Sequence, residues 1–344
     1  MFIYILSLAV IGSLLTGCDQ ERPLVSLDAG QNLPTQEQEA EGANYQPVSL
    51  PALFSQDFNG SNLKLGEVLD DNAAYTRYFI TYQSGELSIS GIMNVPKGAG
   101  PFPLIILNHG HIDTAVYTNG RGLKREQDYL ARQGYVVLHT DYRNHAQSDE
   151  DNRDELAVRL AYAEDAVNAV YAIKNSDFVF IYKENIGMLG HSMGGGVTLQ
   201  SLVIRPDLIK AVVLYAPVSG NLKLSYDRWL ARRTATVANL ERLYGSPAAK
   251  PEFWQNLSAE NFYDKITAPV AIYHGTVDQS VPLEWSAATR QSLANNGVEA
   301  DLTVYQGAPH EFISDWPDFM ASVSRFFDRH LKVKNIPAAM LPEM

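Results

Sequence analysis

Apolar positions along the chain recur with two different periods, and their alternation predicts a layered fold. Tyr78, Ile80 and Tyr82 alternate with polar neighbours, so Tyr75–Tyr82 reads as a half-buried antiparallel strand. Leu87–Val95 reads as its partner across a turn at Ser84-Gly85-Glu86. The pattern then changes. Pro103–Leu107, Tyr135–Thr140, Ile186–Gly190, Ala211–Ala216 and Val270–His274 are apolar runs, as expected of strands buried on both faces, and Ala300–Tyr305 is the last strand. Between them the spacing is helical. Leu156, Leu160, Val167, Val170 and Ile173 place a helix over Asp154–Lys174, and further helices are predicted at Leu123–Arg132, Gly194–Ile204 and Leu283–Asn295. Phe319, Val323, Phe326 and Phe327 place a closing helix. Strands alternating with helices imply an α/β body over residues 52–334, with a mostly parallel central sheet covered by helices on both faces.

One segment breaks the alternation. Residues 219–265 lie between the sixth and seventh expected strands and carry Tyr226, Trp229, Tyr244, Phe253, Trp254, Phe262 and Tyr263. This segment is expected to be a helical lid. Its aromatics either pack the insertion down or meet a substrate.

The ends of the chain have other patterns. Phe2–Leu15 is apolar but shorter than the roughly 20 residues that a membrane span needs. It has the length of a signal-peptide core, and it ends in Leu15-Thr16-Gly17-Cys18, which resembles the bacterial lipobox. The expectation is that residues 1–17 are removed, that Cys18 is acylated and that the protein is exported and held on a membrane. Acyl chains contribute about 0.8 kcal/mol per buried methylene, so two or three of them anchor firmly. Residues 18–51 are rich in Gln, Glu, Asn and Pro and read as a flexible tether, and 335–344 as a tail.

Composition narrows the function. Of 344 residues, 46% are hydrophobic and 19% charged, which suits a large packed core. Lys plus Arg number 27 against 39 Asp plus Glu, a net charge of −12, which argues against a nucleic-acid partner. Cys18 is the sole cysteine, so neither an intramolecular disulfide nor a cysteine metal site is expected.

The chemistry is concentrated in three loops. Gly190-His191-Ser192-Met193-Gly194 is a G-x-S-x-G motif between a predicted strand and a predicted helix. The serine of such a turn is strained, and its flanking glycines avoid a clash at Cβ. A serine hydroxyl needs a base, and the chain order serine, acid, histidine is met by Asp278, just past the strand Val270–His274, and by His310, just past the last strand. Asp278 would hold the imidazole tautomer while His310 moves the proton. Two backbone donors are needed for the developing oxyanion. They are expected from Met193 and from His111 in the loop Asn108-His109-Gly110-His111. The other histidines (His109, His139, His145, His191, His274 and His330) are expected to be structural. His109 and His111 have a spacing that can bind metal, but no third ligand accompanies them, so no metal is expected. This chemistry implies no cofactor. A histidine base works unprotonated, so the rate should rise through about pH 6–7.

These motifs resemble the α/β-hydrolase superfamily, in particular its prolyl-oligopeptidase-like (S9-type) branch. The resemblance covers about Thr76–Lys332 and rests on Ile89–Pro96, Asn108–His111, Asp141-Tyr142-Arg143, Gly190–Gly195, Ser258–Val270, His274–Pro282 and Gly307–Phe312. It implies a serine hydrolase acting on a carboxylic ester or a short peptide. About 24 residues separate the tether from the first expected strand, too few for a β-propeller, which favours an esterase. Asn144-His145-Ala146 follows Asp-Tyr-Arg where the branch usually has glycines. A thioesterase or dienelactone-type hydrolase is a second reading within the fold. A non-catalytic, membrane-tethered binding lipoprotein is the reading from another class.

Overall fold

The computed structural model describes residues 46–332, and among these nine strands join in one sheet. The strands are β1 (Ser61–Asp71), β2 (Tyr75–Ser84), β3 (Leu87–Pro96), β4 (Phe102–Asn108), β5 (Val136–Thr140), β6 (Ile181–His191), β7 (Ala211–Tyr215), β8 (Val270–Gly275) and β9 (Ala300–Tyr305). Their order across the sheet is β1-β2-β3-β5-β4-β6-β7-β8-β9. β1, β2, β3 and β5 pair antiparallel, and from β5 through β9 every pair is parallel.

The unbroken apolar runs follow from the two covered faces. Leu104 and Ile106 of β4 enter one core with Val136, Leu138, Met188, Val212 and Leu214. Ile105 and Leu107 enter a second core with Val137, Leu189 and Val213. Successive side chains of a strand point to opposite faces, so a strand between two cores is apolar at every position. The first core also takes in α1 (Leu50–Phe54), α3 (Glu155–Lys174), α4 (Met193–Ile204) and Leu293 of α8 (Leu283–Asn295). The second is closed by α2 (Lys124–Arg132) and α9 (Trp316–Leu331).

Two elements were not expected. β1 is an edge strand with only Leu63 buried, and its register with β2 shifts at three places. Lys64, Glu67, Asp70 and Asp71 leave it without alternation, which is how charge and bulges blunt a sheet edge. α1 corrects the tether boundary. Ser49 caps it by accepting from the Ala52 amide at 3.2 Å, and Leu50 and Pro51 are buried, so the packed body begins before residue 52. A five-residue helix is too short to show a period. Cys18, the signal segment and the tail lie outside the described residues.

The segment 219–265 is helical. It contains α5 (Leu222–Ser225), a π-turn at Tyr226–Leu230, α6 (Thr234–Tyr244), α7 (Pro251–Gln255) and a 3₁₀ stretch at Ala259–Lys265. Most of its aromatics pack the insertion. Tyr244 stacks on Phe253 at 4.7 Å, Tyr226 meets Trp254 at 4.9 Å and Phe262 meets Phe54 at 5.1 Å. Trp229 instead lines the main cavity.

A buried ion pair fixes the loop after β5. Asp165 of α3 is fully buried and accepts from Arg143 Nη2 at 2.6 Å, Nε at 3.0 Å and the Arg143 amide at 2.9 Å. Ser84 Oγ donates to the same carboxylate at 2.7 Å. Asp165→Ala should cost about 3–5 kcal/mol, because it strips a buried guanidinium of its main partner. The urea midpoint checks this, and an unchanged midpoint would show that Asp151, which also accepts from Arg143 at 2.9 Å, suffices alone.

Candidate active site

β4 leads to its left-hand neighbour β5, and the chain then crosses back to β6 on the other side. Strand order thus reverses at β4/β6, and in such sheets the crevice at the carboxyl ends there is the usual binding place. The loop after β4 and the turn after β6 both open onto a cavity of about 860 Å³.

Ser192 stands between β6 and α4 with φ 55° and ψ −119°. Non-glycine residues rarely adopt such angles, at a cost of about 1–3 kcal/mol. The surroundings hold it there: the Ser192 amide donates to Tyr215 O at 3.0 Å, and the amides of Gly195 and Val218 both donate to Ser192 O at 3.0 Å. The turn has no room for side chains on either flank. A Cβ on Gly190 would lie 2.3 Å from Gly194 O, and one on Gly194 would lie 1.9 Å from Asn108 O.

Asp278 follows β8, and His310 follows β9. His310 Nδ1 donates to Asp278 Oδ2 at 2.6 Å. The other carboxylate oxygen, Oδ1, accepts from the Ser280 and Val281 amides at 2.8 and 2.9 Å. Burial works to raise the Asp278 pKa. The hydrogen bonds from His274, His310 and the Val281 amide outweigh it and hold the carboxyl well below the usual range. Ser192 and His310 line the same cavity, and among the described residues no hydrogen bond within 3.5 Å joins their side chains. Such bonds are often long until substrate is bound.

Met193 opens α4, and its amide belongs to the first turn, where a helix leaves N–H groups unpaired. Gly110 and His111 line the cavity beside it, and a Cβ on Gly110 would sit 3.2 Å from Ser192 Cβ. Met193 thus follows the serine in the chain, and Gly110, the neighbour of His111, packs against it. Asp141 anchors the loop region, accepting from Tyr117 Oη, Asn119 Nδ2, Ser90 Oγ and the Gly120 amide at 2.6–2.8 Å. His109 is buried with Nδ1 at 2.7 Å from Gly110 O, whereas His111 is exposed, so the two rings diverge.

The remaining histidines support the site. The His191 ring lies 4.6 Å from that of His310, tilted by 41°, and desolvation, with His310 adding to it, lowers its pKa to about 3. His274 does more than the sequence suggested. Its Nε2 faces Asp278 Oδ2 at 3.1 Å and Val281 O at 3.0 Å, so this nitrogen carries the proton, while Nδ1 accepts from Ser286 Oγ at 2.7 Å. The i, i+4 spacing of His274 and Asp278 was the available signal. Arg159 and Arg233, both on the cavity wall, were not expected there.

Comparison with known proteins bears on the family and the fold. The family model for the prolyl oligopeptidase family matches residues 121–334. Esterase EstD of Thermotoga maritima is 25% identical over 266 residues, covering 67% of this chain but only 62% of EstD. A Bacillus subtilis protein named as the uncharacterized peptidase YtmA is 26% identical over 237 residues, covering 68% of this chain and 86% of YtmA. The acetyl xylan esterase of Paenibacillus sp. R4 superposes with a TM-score of 0.63 at 17% identity, over 87% of this chain and all of that one, a likeness of fold. With the α/β-hydrolase sheet and a family match over more than half its length, the chain belongs to the prolyl oligopeptidase family.

Proposed function

We propose that the protein hydrolyses carboxylic esters through an acyl-enzyme on Ser192. The observation that carries this reading is the convergence on one cavity of a strained serine and a histidine bonded to a buried carboxylate. Ser192 Oγ attacks the ester carbonyl carbon as His310 Nε2 takes its proton. The oxyanion is held by the amides of Met193 and His111. Collapse breaks the bond to the alkoxy oxygen, which leaves with the proton from His310. Water then attacks the acyl-enzyme, again with His310 as base, and the carboxylic acid is released. Asp278, kept ionised by its four donors, steadies the imidazolium at both steps. EstD and the acetyl xylan esterase support the ester reading, while YtmA and the family's name keep short peptides as the second substrate class. We further propose that Cys18 carries a lipid that holds the protein on a bacterial membrane.

The deciding assay uses protein starting after Cys18, with p-nitrophenyl acetate and butyrate set against aminoacyl and X-Pro p-nitroanilides. Ester turnover with inert anilides is expected. Anilide turnover that disappears in Ser192→Ala would make the protein a peptidase. Inertness towards every substrate and towards a fluorophosphonate probe would overturn the catalytic reading.

A further inference from the structure

Resting on the ester reading, we infer that the substrate carries a carboxylate near the scissile ester, and that Arg159 and Arg233 receive it. The chain is strongly acidic overall, at −12, yet this part of the cavity is cationic. Arg159 of α3 and Arg233, just before α6, both bond one oxygen of Glu155. Arg159 reaches it at 2.7 Å through Nη2 and at 3.0 Å through Nε, and Arg233 reaches it at 2.5 Å through Nη1. Two guanidinium groups share one carboxylate, so the cluster keeps a net positive charge. Elsewhere on the lining, Lys124 and Arg125 are matched in number by Glu126 and Glu311, so the excess belongs to the Arg159 end.

The geometry leaves a donor to spare. Among the described residues, the one further hydrogen bond from the Arg159 side chain goes to Met193 Sδ, 3.5 Å from Nη1. A thioether is a weak acceptor that a carboxylate readily replaces. Met193 follows the nucleophile, and Arg159 lines the same cavity as Ser192 and Met193. Arg159 also acts on His111 at the other proposed oxyanion donor. Desolvation, and after it the Arg159 charge, lower the pKa of that ring. The guanidinium fork suits bidentate capture of a carboxylate, and the partly water-excluded wall strengthens the contact. Arg233 comes from the insertion, so an anion would bind across two parts of the chain.

The test compares monomethyl adipate with methyl hexanoate by pH-stat, at low and high salt. Hydrogen bonds to charged groups predict a kcat/KM ratio favouring the acidic ester by about 10–100-fold, expressed mainly in KM and weakened by salt. Arg159→Gln should bring the ratio towards one, and Arg159→Lys should restore part of it. A wild-type preference for the neutral ester, or a ratio that Arg159→Gln leaves unmoved, would overturn the inference. Calorimetry of monomethyl adipate on Ser192→Ala protein, with and without Arg159→Gln, reads the anion site without turnover. Absence of hydrolysis on both esters would count against the ester reading alone, while the calorimetry still decides this one.

Discussion

Ser192→Ala should lower kcat by about 10⁴-fold or more on any ester that the protein turns over, with a small residue of activity from the oxyanion donors and binding. The size of the effect follows from the order of events. With no Oγ, His310 has no proton to accept and no acyl-enzyme forms, so what remains is attack by bulk water on a polarised carbonyl. The same variant should lose all labelling by a fluorophosphonate. Its fold should survive, because among the described residues the Ser192 hydroxyl has no hydrogen-bond partner, while its backbone keeps the bonds to Tyr215, Gly195 and Val218. Alanine at φ 55° is no worse placed than serine. Full turnover in Ser192→Ala would mean that the chemistry lies elsewhere.

Stability should fall steeply as the pH drops through about 6.5. His109 and His139 are fully buried, and desolvation, with neighbouring charge, lowers each to about 3. Unfolded, each would titrate near 6.5. Between those values the unfolded chain binds more protons than the folded one, so acid favours unfolding by up to about 1.4 kcal/mol per pH unit for each histidine. Asp278 adds a loss of the same sign lower down. Its lowered pKa supplies stability that is present above the ordinary carboxylate value and disappears as pH falls below it. Urea midpoints at pH 7.5, 6, 5 and 4 check the slope. His139→Leu separates the contributions. Among the described residues, neither His139 ring nitrogen has a hydrogen-bond partner, so the variant should flatten the acid limb at little cost near neutrality. A midpoint constant from pH 7.5 to 5 would refute the account.

How much the sequence revealed depended on how many physical constraints met at one residue. β4 was legible because both of its faces are buried, so Leu104–Leu107 had to be apolar throughout. Gly190, Ser192 and Gly194 were legible because steric exclusion admits only glycine on either flank of that turn. β1 was hidden, since an edge strand with one buried side chain has no hydrophobic period to display. α1 was hidden by its length. The insertion could be located by its aromatics, but whether each packs or faces a ligand depends on tertiary contacts. Trp254 and Trp229 lie in one segment and ended on opposite sides of that question. His274 was seen as a strand end. Its bond to Asp278 depends on the side chain turning back along its own loop, which the i, i+4 spacing allows but does not require.

The division of the cavity has a consequence for inheritance. Gly110, Ser192, Asp278 and His310 follow β4, β6, β8 and β9, whose registers are set by their neighbours in the sheet, whereas much of the remaining wall, with Trp229, Leu230 and Arg233, is one uninterrupted stretch of sequence. An inherited change in this one stretch would therefore alter that part of the wall while leaving Arg159 of α3 where it is. A different stretch would have to meet the body where this one does. Leu50 N donates to Asn256 O at 2.9 Å, so an incoming segment must still offer α1 a place to dock.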